Sequence, residues 1–191
     1  EIYTLFGKPE DESSYYEMTR WVNNFGRALQ KVNIIRGMRK DYDSSKNNDE
    51  ANKVYIPQIL IDEAGISLED MFDSEHKEQS QRILDELVID SINNFEFSLN
   101  YLFNIPYNEV GIRRFSYSIF LSSLLMLKKL DENYNVFTSN EEIGISKIES
   151  MVLLGKTYLD ALSNTRIEKS YTKIKESINA PAGIRISESK R

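Results

Sequence analysis

A chain of 191 residues with no cysteine and a single histidine, His76, excludes disulfides, thiolate metal sites, a cysteine nucleophile and histidine-cluster metal sites. Its 24 basic and 30 acidic residues leave a net charge of −6 with no long basic stripe, which argues against a nucleic-acid partner. The length suits one domain with a core of its own. Only eight glycines and four prolines, and almost no strand-type alternation, predict an all-α fold.

Residues 1–13 form a polar N-terminal segment. The first helix is predicted from Ser14 to Asp43, with Met18, Trp21, Phe25, Leu29, Val32 and Ile35 as its apolar face. Beside that face runs a second stripe, Gly26, Gln30, Asn33, Gly37 and Asp41, within one narrow sector of the helical wheel. It is small and polar. That pattern suits the wall of a cavity, or a seam where two helices approach closely. Ser44 to Lys53 (SSKNNDEANK) reads as a mobile loop. In the following VYIPQILIDEAGI, Pro57 and Gly65 mark turns, and Ser67 to Asp70 resembles a capping box that opens a short helix.

A long helix is predicted from Glu75 to Phe103, buried through Leu84, Val88, Ile92, Phe95, Leu99 and Leu102 and ended by Ile105-Pro106. His76, in DSEHKEQS, reads as part of its solvated start. The next helix, Glu109 to Leu130, is apolar on most sides and is expected at the centre of the bundle. Its most apolar stretch, Ile119 to Leu127, is too short to span a bilayer and is interrupted by Ser122 and Ser123. The aromatic groups Phe95-Phe97-Tyr101 and Phe115-Tyr117-Phe120 read as core. After the loop DENYNVFTSNEE comes a last helix from Ser146 to Glu176, then a frayed tail. The expected organisation is a single helical domain over 14–178 with a C-terminal tail over 179–191. No secretory signal is read at the start, a cysteine-free chain fits a reducing compartment, and the expected location is the cytoplasm, with peripheral membrane contact.

Gln30, Asn33, Arg36 and Asp41, followed by Lys53, Tyr55 and Pro57, resemble the second acidic motif of the squalene and phytoene synthase family. That pattern is roughly Gln-x-x-Asn-x-x-Arg-Asp-x-x-x-Asp, then, after a loop, Arg-x-Tyr-x-Pro. Tyr101 with Ile105-Pro106, Arg114, and Ile145-Ser146-Lys147 follow in the family's order, so the resemblance runs from about Phe25 to Leu154. It implies a helical bundle of the isoprenoid-synthase kind. It also implies an Mg²⁺-dependent transferase that couples two allylic prenyl diphosphates, such as farnesyl or geranylgeranyl diphosphate, with loss of diphosphate. In that scheme Asn33 and Asp41 hold the metal through oxygen and Arg36 acts with them in catalysis. Arg36 and Lys53 touch the diphosphate, Arg114 binds substrate, and Gln30 and Tyr55 line the pocket. Substrates this greasy imply peripheral contact with a membrane.

Two departures set the alternative. Gly37 stands where the family has the first aspartate of the motif, and no acidic helix precedes Asn33, since Glu10-Asp11-Glu12 lies in a proline-containing polar start. The chain opens at Glu1, so the expected bundle is incomplete at its N-terminus unless the first half has been lost. The competing expectation is a catalytically inactive member of the same fold, acting as a binding or assembly protein. A plain helical interaction domain ranks last.

Overall fold

Apolar residues at helical spacing produce helices throughout the computed structural model, which describes residues 12–47, 54–141 and 143–179. Among these residues there is no strand, and seven α-helices follow in order: α1 (Glu12–Asn47), α2 (Gln58–Ala64), α3 (Lys77–Asn104), α4 (Val110–Leu130), α5 (Asn135–Thr138), α6 (Lys147–Asp160) and α7 (Asn164–Lys175). Residues 1–11, Lys53 and the tail from 180 onward lie outside the described residues.

α1 lies chiefly along α3. It buries Ala28, Val32, Ile35, Met38 and Tyr42, spaced by three and four, while Met18, Trp21, Phe25 and Leu29 are half-buried. The helix continues to Asn47, past its predicted end. Ser45 Oγ donates back to Asp41 O at 2.8 Å, and Lys46 sits in the last turn, 4.5 Å from the Tyr42 ring centroid. A cation there suits the negative end of the helix.

α3 meets its neighbours through small buried serines as well as leucines. Ser80, Ser91 and Ser98 are 0% exposed, and each hydroxyl donates to a carbonyl one turn back: His76 O, Leu87 O and Asn94 O. Ser80 Oγ also reaches Met71 O at 2.9 Å, so the three hydroxyls are satisfied and pack as small residues. α4 is central as predicted. Tyr117, Phe120, Leu124, Leu127 and Leu130 are fully buried, and the helix touches α1, α3, α6 and α7. By length and composition alone its 21 residues suffice to cross a bilayer, but here its apolar side forms the core. Phe95 meets Phe120 edge-on at 5.3 Å, and Phe25 lies 5.0 Å from Tyr101. Phe97 and Phe115, also read as core, are instead 46% and 67% exposed. Phe97 lies two positions from buried Phe95, and Phe115 two from buried Tyr117; residues two apart project from opposite sides of a helix.

Three elements differ from the reading of the sequence. Pro57 and Gly65, taken as turns, bracket α2. Pro57 stands at its N-cap, and Gly65 (φ 69°) closes it with its N–H on Ile61 O and Asp62 O. Seven residues are too few for periodicity to reveal. The loop 131–142 holds the single turn α5, anchored by buried Val136 and Phe137. The predicted last helix is two helices, because Ser163 caps α7 and the carbonyl of Ala161 is taken by a side chain from α4. The reciprocal Ser67–Asp70 bonds are present and open a 3₁₀ turn, Asp70–Phe72.

α6 opens on a full capping box. Ser146 N–H donates to Glu149 Oε2 at 2.7 Å, Glu149 N–H donates to Ser146 Oγ, and Lys129 Nζ binds the same Oε2 at 2.8 Å. The Lys129 bond first, then those from Ser146, hold the Glu149 carboxyl down to about 2, against an ordinary 4.5. A folded-state value below the unfolded one stabilises fully above the ordinary pKa and is lost as pH falls through about 2. The protection factor of the Ser150 amide should therefore fall as pH drops between these values, and Glu149→Gln should remove that change.

Candidate functional site

The face of α1 that carries the family resemblance points outward. Gly26, Gln30 and Asn33 are exposed, and Gly37 and Asp41 are half-buried. Arg36, three residues after Asn33, borders the same sector and is exposed. The stripe is therefore not a close-packing seam among the described helices: a Cβ added at Gly26 would meet nothing within 4 Å. Nor does it line a closed cavity. One groove of about 410 Å³ lies beside Arg20, Asn23, Arg27 and Phe97, and another of about 570 Å³ lies beside Arg39, Lys46, Asp70 and Asp73. The expected cavity wall is an open polar face between these two grooves.

Gly37 has a specific neighbour. A Cβ there would sit 3.2 Å from Asp41 Oδ2 and 3.8 Å from its Cγ. The Asp41 carboxylate thus leans back over the turn where a carboxylate at position 37 would begin. Asp43, two residues on, is held differently. Its Oδ2 accepts from Arg39 Nε at 3.0 Å and from Asn140 Nδ2 at 3.0 Å, while Arg39 Nη1 reaches Phe137 O at 3.1 Å. Burial works against the charge, but the bonds from Asn140 and Arg39 outweigh it and hold the Asp43 carboxyl below its usual range. Asp43 therefore ties the end of α1 to the loop that holds α5, whereas Asp41 stays on the outward face. The i, i+4 spacing of Arg39 and Asp43 was visible in the sequence; their tie to Asn140 was not.

Of the remaining predicted residues, Lys53 lies outside the described residues. Tyr55 is 66% exposed in the extended segment before α2. Arg114 is turned onto α6, where its Cζ lies 3.5 Å from the Tyr158 ring centroid and its Nε donates to Tyr158 O at 3.3 Å. His76 Nε2 lies 3.9 Å from Asp70 Oδ1 at the start of α3. Arg113, which no sequence pattern singled out, is 1% exposed and donates to Ala161 O, Leu102 O, Ile105 O and Asn164 Oδ1.

The donors available to a metal are few. Among the described residues no three acidic, histidine or cysteine side chains converge. Asn33 and Asp41 are eight residues apart, about 12 Å along the helix axis, so they cannot share one ion. Magnesium takes oxygen ligands, often one or two carboxylates with the rest from phosphate and water.

Comparison with known proteins gives three results. The family model for squalene/phytoene synthase matches residues 3–137. The solved complex of TcSQS, a squalene synthase, with the ligand BPH1237 shares the fold at a TM-score of 0.71 and 16% identity, covering 86% of this chain and 45% of that one. The TcSQS complex with the ligand E5700 gives 0.64 and 18%, covering 84% and 50%. The chain thus spans about half the length of these solved structures. No curated protein matches it.

Proposed function

The chain belongs to the squalene/phytoene synthase family, and from that premise we propose that the outward face of α1 binds the diphosphate of an allylic prenyl diphosphate and supports coupling of two such substrates. The observation that supports this reading is the alignment of Gln30, Asn33 and Asp41 along one solvent-facing helical sector, bordered by Arg36. Arg36 and Lys53 supply charged donors for phosphate oxygens. Gln30 and Asn33 offer amides that orient the headgroup, and Tyr55 flanks it. Asp41 is the carboxylate toward which a diphosphate-borne Mg²⁺ would be drawn. When bound, Mg²⁺ neutralises charge on the departing diphosphate. Arg114 would join the site only by leaving Tyr158. A long prenyl chain partitions into lipid, so this reading places the protein in the cytoplasm, drawing substrate from a membrane surface.

One observation favours a second reading, that of a non-catalytic binding or assembly protein on the same fold. With glycine at 37, Asp41 is the one carboxylate among the described residues of this stripe, so Mg²⁺ is held less strongly than two carboxylates on adjacent turns would allow. Titrating the protein with farnesyl and geranylgeranyl diphosphate in the presence of Mg²⁺, while assaying released diphosphate, separates the readings. Binding with release supports the transferase. Binding without release supports the second reading. Absence of both would overturn the proposal.

A further inference from the structure

The groove between α1 and α3 gathers positive charge that the described chain does not pair. Arg20, Asn23 and Arg27 follow one another at i, i+3 and i+7 on α1, so they stand in one row. All three are exposed, and all three line the groove of about 410 Å³ beside Phe97 of α3. Among the described residues no carboxylate lines this groove and neither arginine is ion-paired, in a chain whose net charge is −6. Thr19 borders the same groove, and its Oγ1 is buried with no hydrogen-bond partner, a state that calls for one. Asn24 is already committed, since its Nδ2 donates to Arg20 O at 2.8 Å.

The chemistry of the row selects its occupant. An apolar helix packed here would bury two guanidiniums without a counter-charge, which costs more than the contact returns. An anion pairs with both. Arg20 Cζ stands 5.3 Å from the Phe97 ring centroid, and this stacking holds the guanidinium plane while its N–H edge remains available to an acceptor. Such a fork matches phosphate oxygens. Seven residues separate the two arginines by about 10.5 Å along the axis. Their long side chains share one groove, so a phosphate sits between them rather than on either alone. We propose that this groove binds a phosphate monoester, either free or as the headgroup of a membrane lipid, with Arg20 and Arg27 on the phosphate oxygens and Phe97 against the carbon side of the ester. The site shares no residue with the Gln30–Asp41 sector, and it needs no metal because its charge is already positive.

Calorimetric titration of phenyl phosphate into the intact chain, with chelator present and ionic strength fixed, tests this. Saturable binding is expected, weakened about tenfold in Arg20→Gln and in Arg27→Gln and unchanged in Arg36→Gln on the prenyl diphosphate face. Arg27→Lys keeps the charge without the fork and should recover part of the loss. All these side chains are exposed, so circular dichroism should be the same throughout. Vesicles of phosphatidylcholine with phosphatidic acid, set against pure phosphatidylcholine, identify the source. Capture by the mixed vesicles that Arg27→Gln abolishes, without binding of phenyl phosphate, assigns the lipid headgroup. Binding of neither probe overturns the proposal. So does binding that survives both glutamine variants, that falls equally in Arg36→Gln, or that benzoate matches in strength. The chelator removes metal-dependent binding at the other face, so this test and that of the proposed function fail separately.

Discussion

Arg113→Ala is expected to be the most destabilising single substitution described here, lowering stability by roughly 4 kcal/mol, because several buried acceptors lose their donor at about 1–3 kcal/mol each. The guanidinium forks between three helices. It donates to Leu102 O and Ile105 O at the end of α3, to Ala161 O at 2.9 Å past the end of α6, and to Asn164 Oδ1 at 2.6 Å at the start of α7, with Tyr107 stacked at 4.4 Å. Among the described residues no carboxylate pairs with it. The carbonyls it binds are those left open where helices end, so the negative ends of α3 and α6 take the place of a counter-ion. Burial draws its pKa below the ordinary guanidinium value, yet an arginine stays charged. Lysine keeps the charge but cannot fork, so Arg113→Lys should recover only part of the loss. Denaturant unfolding of Arg113→Ala, Arg113→Lys and Arg114→Ala checks this. The last should cost less than about 1 kcal/mol, since Arg114 makes one long bond and a partly exposed ring contact. Equal losses for Arg113→Ala and Arg114→Ala would contradict it.

The second large effect is expected at Gly37→Asp. Restoring a carboxylate four residues from Asp41 puts two acids about 5–6 Å apart on adjacent turns. Without metal the pair repels by a few tenths of a kcal/mol, and the Asp41 side chain must swing away from the 3.2 Å approach. With Mg²⁺ and inorganic diphosphate the sign reverses. Binding to the folded state at 100 times its Kd adds about 2.7 kcal/mol. Melting curves should therefore show the variant slightly less stable than wild type in chelator and more stable with both ligands, with wild type shifting in the same direction by less. No differential shift would mean that the outward face of α1 does not have metal-binding geometry.

Most of the helical skeleton was legible because burial imposes a 3.6-residue period. The apolar faces of α1, α3 and α4 follow directly from Val32 and Ile35, from Leu84 and Val88, and from Phe120 and Leu124. Periodicity reports which face is apolar, but not what the face meets. The strip from Ile148 to Leu162 has the spacing of a core stripe and points outward, whereas α6 is held to the bundle by Leu153, Thr157 and Ala161. The break between α6 and α7 was hidden because the event that ends α6 comes from α4, where Arg113 takes the Ala161 carbonyl. Arg114 fits the family's order, yet its neighbour Arg113 is the buried residue. At the candidate site, the grouping of Gln30, Asn33, Gly37 and Asp41 on one face was readable from helical geometry. Its openness was not, because exposure depends on what the rest of the chain leaves uncovered. Asp41 and Asp43 look alike in sequence; only the Arg39 and Asn140 bonds separate the structural carboxylate from the outward one.

The central claim is that this outward face holds a prenyl diphosphate headgroup. Calorimetric titration of farnesyl diphosphate with Mg²⁺ into wild type, Arg36→Ala and Asp41→Asn tests it most directly. All three should unfold alike, because neither side chain is buried in the core. The account predicts saturable binding to wild type, weakened at least tenfold in each variant and abolished in wild type by chelator. Binding of equal strength in all three proteins, or binding indifferent to Mg²⁺, would contradict it.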